Sequence, residues 1–340
     1  MKSFIAIICM SMLLTSTLVF ANGSQEATPA STKQSQASEP NFFDTTVKII
    51  IPYGAGGTHD VVSRKFAEVG SKYTKAPIIC ENVTGGDGIV AGIQFTQKAA
   101  NVKEIMTTSY GLWYQKIVKG DAIKLDLSKI HPIGTFDDRS YLLYVRADSP
   151  YKTLNDLIAE SKKREILLSA GAIGADAHLC CGGLIHAAGG QCRLVAYEGG
   201  AEQINALLNG EVDCFVGTSQ VGKQFLELKK VRALVAFKDF DFTGFKDSMG
   251  LVVPNVKDLG YPQCAITGGG FLSVVGGASE KTAKDVEDLM KKVWADPDFR
   301  NFTLEQGLNI YECYGADLAK HIKEAEANAK LAAQGLGLIK

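Results

Sequence analysis

The chain has 340 residues and a formal net charge of -1, with 46% hydrophobic residues, 21% charged residues and 35 glycines. That length accommodates two ordinary domains, and the balance is that of a globular protein. No basic patch stands out, which removes nucleic acid from the candidate partners and argues against a membrane-surface role.

In chain order, "MKSFIAIICMSMLLTSTLVFA" comes first, with one lysine, an apolar core and the small Ala21. It reads as a signal peptide over residues 1–21, its apolar core being short for a transmembrane span. A membrane anchor is the competing reading, and lipid anchoring stays open. Residues 22–41, rich in Ser, Gln, Thr, Ala and Pro, read as a flexible leader with nothing to bury. Loss of Cys9 with the signal leaves seven cysteines, an odd number with no scaffold spacing. They are expected as small buried hydrophobes, with one bridge at most.

From Val47 onward apolar runs alternate with amphipathic stretches. The strand-like runs are "VKIII", "PIIC", "EIMTTS", "YLLYVR", "EILLSA", "RLVAY", "VDCFVG" and "VRALVAF". Over 60–73, Val62, Phe66, Val69 and Tyr73 share a helix face; over 201–209, Ile204, Leu207 and Leu208 do so, with Gly210 placed to end the helix. Two further helices are expected over 279–299 and 315–335. Strand and helix in alternation predict an α/β protein with parallel sheets.

Several strands run into glycine-rich turns that open a helix: Tyr53-Gly54-Ala55-Gly56-Gly57-Thr58, Thr84-Gly85-Gly86-Asp87-Gly88, Gly171-Ala172-Ile173-Gly174-Ala175-Asp176, and Tyr197-Glu198-Gly199-Gly200. In open α/β sheets ligands bind at the carboxyl ends of strands, where helix N-termini present free N–H groups to an anion. Each turn alone is equally a simple tight turn; four together point to a ligand cleft. "GTSQVGKQ" (217–224) has P-loop spacing, but Gln224 stands where a magnesium ligand is required. "HLCCGGLIH" (178–186) does not converge as a metal set, and its cysteines are expected in the core. His131 is expected in a loop and His321 on the solvated face of the last helix. No cofactor, metal ligand or catalytic residue is expected.

"IIPYGAGGTHDVVSRKFAE", "APIICENVTGGDGIVAGI" and "LLSAGAIGADAHLCCGGLIHAAGGQCRLVAYEGGAEQINALLNGEVDCFVG" resemble the receptors of tripartite tricarboxylate transporters, the Bug-type periplasmic solute-binding proteins. The resemblance spans nearly all of 47–340 in the family's order. It implies a two-domain, type II periplasmic-binding-protein fold that closes on its ligand, with 42–144 plus 268–340 in domain 1 and 145–267 in domain 2. It implies a monomeric receptor, not an enzyme, that carries a small organic anion (a di- or tricarboxylate, or an amino-carboxylate) to a membrane permease. Backbone N–H groups at 53–60 and 171–178 would hold the ligand carboxylate. On that basis the binding residues are Tyr53, Gly54, Ala55, Gly56, Gly57, Thr58, His59, Ser109, Tyr110, Gly171, Ala172, Ile173, Gly174, Ala175, Asp176, His178, Tyr197 and Gly199. Asp60 is read as structural, and His59 as a pH-dependent donor. Two roles are open to Asp176: a helix cap, or a cleft acid that favours an amine or metal-linked ligand. A sensory subunit for a membrane kinase and an exported hydrolase are the rival readings.

Overall fold

A computed structural model describes residues 40–238 and 252–340; the expected signal peptide and nearly all of the leader lie outside them. Two five-stranded sheets organise the described chain. The first is built from β1 (Val47–Ile51), β2 (Ile78–Asn82), β3 (Glu104–Ser109), β4 (Ile130–Asp137) and β10 (Gly270–Val275), in the order β2-β1-β3-β10-β4. The second is built from β5 (Tyr141–Arg146), β6 (Ile166–Ala170), β7 (Cys192–Ala196), β8 (Cys214–Thr218) and β9 (Val231–Ala236), in the order β7-β6-β8-β5-β9.

The expected all-parallel pairing is corrected in one strand per sheet. β10 runs antiparallel to both β3 and β4, and β5 runs antiparallel to both β8 and β9. These are the strands by which the chain enters one sheet from the other, so their direction follows from the crossing. The first crossing is Asp138–Ser140. A boundary at 144 would cut β5, whose apolar residues all pair in the second sheet.

The helices are α1 (Thr58–Gly70), α2 (Ile89–Thr96), α3 (Tyr110–Lys119), α4 (Leu154–Ser161), α5 (Asp176–Ala187), α6 (Gly200–Asn209), α7 (Ser219–Glu227), α8 (Glu280–Ala295), α9 (Pro297–Glu305) and α10 (Gly315–Gly335). The helix expected over 279–299 breaks at Asp296, which caps α9 through the Asp298 N–H because Pro297 lacks the N–H to continue α8. Tyr73 leaves the inward face of α1: it is exposed in the turn after it and its hydroxyl donates to Asp296. His131 lies in β4 instead of a loop, with its side chain on the wet face. His321 meets the Tyr311 hydroxyl at 3.0 Å and is half-buried.

One core lies under α1 and α8, where Phe66, Phe136, Trp294 and Phe299 are almost fully enclosed. Each such side chain contributes about 1.5–3 kcal/mol by burial. A second core runs continuously from Ile50 and Met106 under the first sheet to Leu143 and Leu168 in the second, with α10 packed on both α3 and α5. The seven described cysteines are free thiols; Cys180 and Cys181 are fully enclosed on α5.

Candidate functional site

The loop between β1 and α1 is braced from behind. Asp60 Oδ2 accepts from the Gly56 N–H at 3.0 Å, and Oδ1 accepts from Arg64 Nε and Asn82 Nδ2, both at 2.9 Å. Burial opposes its ionisation, but Arg64, Gly56 and Asn82 together hold its carboxyl below the ordinary value. Asp60 is therefore structural, as expected. The Gly56 amide is consumed in the process, so Gly56 and its exposed neighbour Ala55 are not brought into the cavity. The start of α1 has no side-chain cap, which leaves the N–H groups of its first turn open.

His59 is 4% exposed, stacked on Tyr53 with ring centroids 4.4 Å apart. Its Nε2 lies 2.8 Å from Arg139, which forms a buried two-pronged pair with Asp137 at 2.5 and 2.8 Å. Burial, then the Arg139 charge, pushes the imidazole far below its usual range. The ring is neutral, and because an arginine can only donate, Nε2 accepts and Nδ1 carries the hydrogen. That Nδ1 has no protein partner. The expected pH-dependent donor is thus a fixed one.

Loop two has the same outline and a different use of its acid. α5 is preceded by Ala175, which offers no side-chain cap. Asp176 is the first helical residue; it is 7% exposed and lines the cavity. Its Oδ2 accepts from the Tyr141 hydroxyl at 2.6 Å and its Oδ1 from the Ala177 N–H at 3.0 Å. The carboxylate thus takes amides of its own first turn and also faces the cleft. Burial raises its pKa, against the pull of Tyr141 and Arg139. His178 does not line the cavity; its Nδ1 accepts from the Gly174 N–H at 3.1 Å and so fixes the loop.

The two sheets' loops meet. The Thr58 and Thr218 hydroxyls are 2.8 Å apart, and Thr58 also donates to Gln220 at 3.0 Å. A Cβ on Gly199 would lie 3.6 Å from the Gly54 Cα, and one on Gly171 would lie 2.5 Å from the Asp87 carboxylate. Between them is a cavity of about 90 Å³. Tyr53, Gly54, Gly57, Thr58, His59, Ser109, Gly171, Asp176 and Gly199 line it together. Ala172, Ile173, Gly174 and Ala175 do not line it, Ile173 being half exposed. Tyr110 turns to the core against Phe271, and Tyr197 hydrogen-bonds Glu211 at the surface.

Reading by motif missed Asp87, Arg139, Tyr141, Gln203 and Thr218, all of which line the cavity. Asp87 sits at φ +55, half-buried, and burial with the nearby Asp176 charge pushes its pKa up to about 7. Thr218 caps α7 inside the rejected P-loop-like stretch. The signal for Arg139 was "FDDR", charges set between two apolar strands.

The family model described as "Tripartite tricarboxylate transporter family receptor" matches residues 62–338. The chain belongs to this receptor family. Among curated relatives, the UPF0065 protein in the gbd 5′ region of Cupriavidus necator is 27% identical over 311 residues, covering 90% of this chain and 91% of that one. Among solved structures, MatC from Rhodopseudomonas palustris with bound malate superposes with a TM-score of 0.77 at 18% identity, covering 85% of this chain and 98% of its own. A second R. palustris protein, with adipate, gives 0.78 at 18% identity, covering 86% and 97%. The receptor accordingly has the two-domain α/β fold of periplasmic solute-binding proteins, and its role is solute binding for a tripartite transporter.

Proposed function

We propose that this receptor is exported, with residues 1–21 removed, and captures a small organic carboxylate between lobes built on the two sheets for delivery to its membrane permease. It acts as a monomer and performs no chemistry on the solute. The observation that carries the reading is the set of uncapped helix starts at one cavity: α1 at Gly57–Thr58, α3 at Ser109 and α6 at Gly199–Gly200. Open N–H groups and the partial positive charge at helix starts suit a carboxylate. The malate and adipate held by two proteins of this fold are carboxylates of that size class.

A hydrolytic reading finds no support in the geometry. Ser109 is hydrogen-bonded to the Tyr53 hydroxyl at 2.7 Å, and His59 Nε2 is taken by Arg139, so no nucleophile is paired with a base at these positions.

The test is thermal melting of the native protein with a panel of small carboxylates, each tried with and without an α-amino group, beside native mass spectrometry of the unsupplemented protein. A ligand at a hundred times its Kd adds about 2.7 kcal/mol of stability. A clear rise in melting temperature with at least one member, or a carboxylate-sized adduct, is expected. Unchanged melting with every member and a bare mass would overturn the reading.

A further inference from the structure

The cavity's charges do not balance for a simple anion. Among its lining residues Asp87, Asp176 and Glu198 are acidic, and the cation Arg139 is already matched by Asp137. The hydroxyl of Tyr141 and the N–H of Ala177 both donate to Asp176 and favour its charged form, against the burial that raises its pKa. The same cavity carries unpaired donors. His59, 4% exposed, lines it with an unpartnered Nδ1–H, and the starts of α1 and α6 carry no side-chain cap. A dicarboxylate would satisfy the donors and leave the carboxylates of Asp176 and Asp87 facing further negative charge. A zwitterion satisfies both sets.

Resting on the receptor reading above, we infer that the ligand is an amino-carboxylate, its ammonium group held by Asp176 and Asp87 and its carboxylate by His59 Nδ1–H and the open helix starts. Two acids give an ammonium ion two charge-assisted acceptors. They give a divalent metal ion too few protein ligands, and no group of three or more metal-binding side chains occurs among the described residues. The acids also come from opposite sides of the cleft. Asp87 follows β2 of the first sheet and takes the Ala172 N–H of loop two, while Asp176 belongs to loop two itself. An ammonium between them neutralises their mutual repulsion.

The experiment is calorimetric titration of the native protein with matched pairs that differ only in the α-amino group: aspartate against succinate, and glutamate against glutarate. Calcium chloride alone serves as the metal probe. At least one amino member is expected to bind ten-fold or more tightly than its partner. Asp176→Asn should remove that preference, and Asp87→Asn should reduce it independently. Unliganded melting of each variant verifies folding. Binding with preference for the plain acids, or with a ratio that Asp176→Asn leaves unchanged, overturns the ammonium assignment and keeps the receptor reading. Calcium binding that Asp176→Asn abolishes, with no amino preference, overturns it in favour of a metal. Binding of neither series overturns the assignment together with the carboxylate reading.

Discussion

Loops 52–60 and 171–178 have one blueprint, a strand, a glycine turn and a helix with an aspartate near its start. They use that aspartate in opposite ways. Asp60 is the third residue of α1 and Asp176 the first of α5. Two residues turn a helix by about 200°, so the same side chain points behind the loop in one and into the cavity in the other. Loop one is consequently preorganised from the rear by Asp60, Arg64 and Asn82, and keeps its helix start open for an anion. Loop two fills its own helix start with a carboxylate and presents negative charge. The position of an acid relative to the first helical turn, more than its presence, decides what a glycine loop can bind.

The largest effect is expected from removing the buried ion pair beside His59 of loop one. Arg139 has Asp137 and His59 as its partners, and all three are buried. Arg139→Ala leaves the Asp137 carboxylate uncompensated, and breaking such a pair costs about 3–5 kcal/mol. Urea denaturation followed by circular dichroism measures it. Loop two is held by hydrogen bonds, Gly174 N–H to His178 and the Tyr141 hydroxyl to Asp176, without a buried ion pair of its own, so an Arg139 variant that unfolded no more readily than the native protein would show that the two loops are equally self-supporting.

Much of this fold is legible in the residues. The largely apolar runs at 47–51, 104–109 and 165–170 become strands with no glycine or proline to interrupt them, and Gly210 ends α6 at φ +78. β4 and β10 escaped notice: Pro132 and Gly134 break the pattern of one, and two glycines precede the other while a third opens it. Pairing direction is absent from local pattern altogether, since it depends on where the chain crosses between sheets. The glycine loops identified half of the cavity. The other half comes from residues whose meaning lies in distant partners: Arg139 at the crossing, Tyr141 hydrogen-bonded to Asp176, and Asp87 in the loop 84–88. The role of Asp176 depended on a helix boundary one residue wide, which sequence pattern does not resolve.

A smaller effect, of opposite sign, is expected where loop two meets Asp87. The Asp87 carboxyl titrates at about 7 in the folded chain and at 3.8 in the reference state, so the folded form binds the extra proton. Stability is therefore lost as pH rises from about 4 through 7, and the full cost is present above 7. Asp87→Asn should raise unliganded stability by ~1–2 kcal/mol at pH 8, its half-exposed position limiting the gain, and by little near pH 4. Melting curves of the two proteins across that range make the comparison; a gain constant with pH would mean that the cleft acids do not burden closure.

Asp60→Asn closes the comparison with the smallest change and the reverse pH sense. The Asp60 carboxyl is held below 3.8 in the folded chain by Arg64, Gly56 and Asn82, working against burial. A depressed carboxyl contributes stability above its unfolded value, and that contribution disappears as pH falls through the folded one. Loss of charge at Asp60 should cost ~1–2 kcal/mol at neutral pH, the worth of charge-assisted hydrogen bonds, and nothing measurable well below pH 4, where the native side chain is also protonated. Because Asp60 faces away from the cavity, the affinity ratio between amino and plain carboxylates should stay at its native value, whereas Asp176→Asn collapses it. A shift of that ratio by Asp60→Asn would mean that the rear brace, and not the direction each aspartate faces, sets what the cavity accepts.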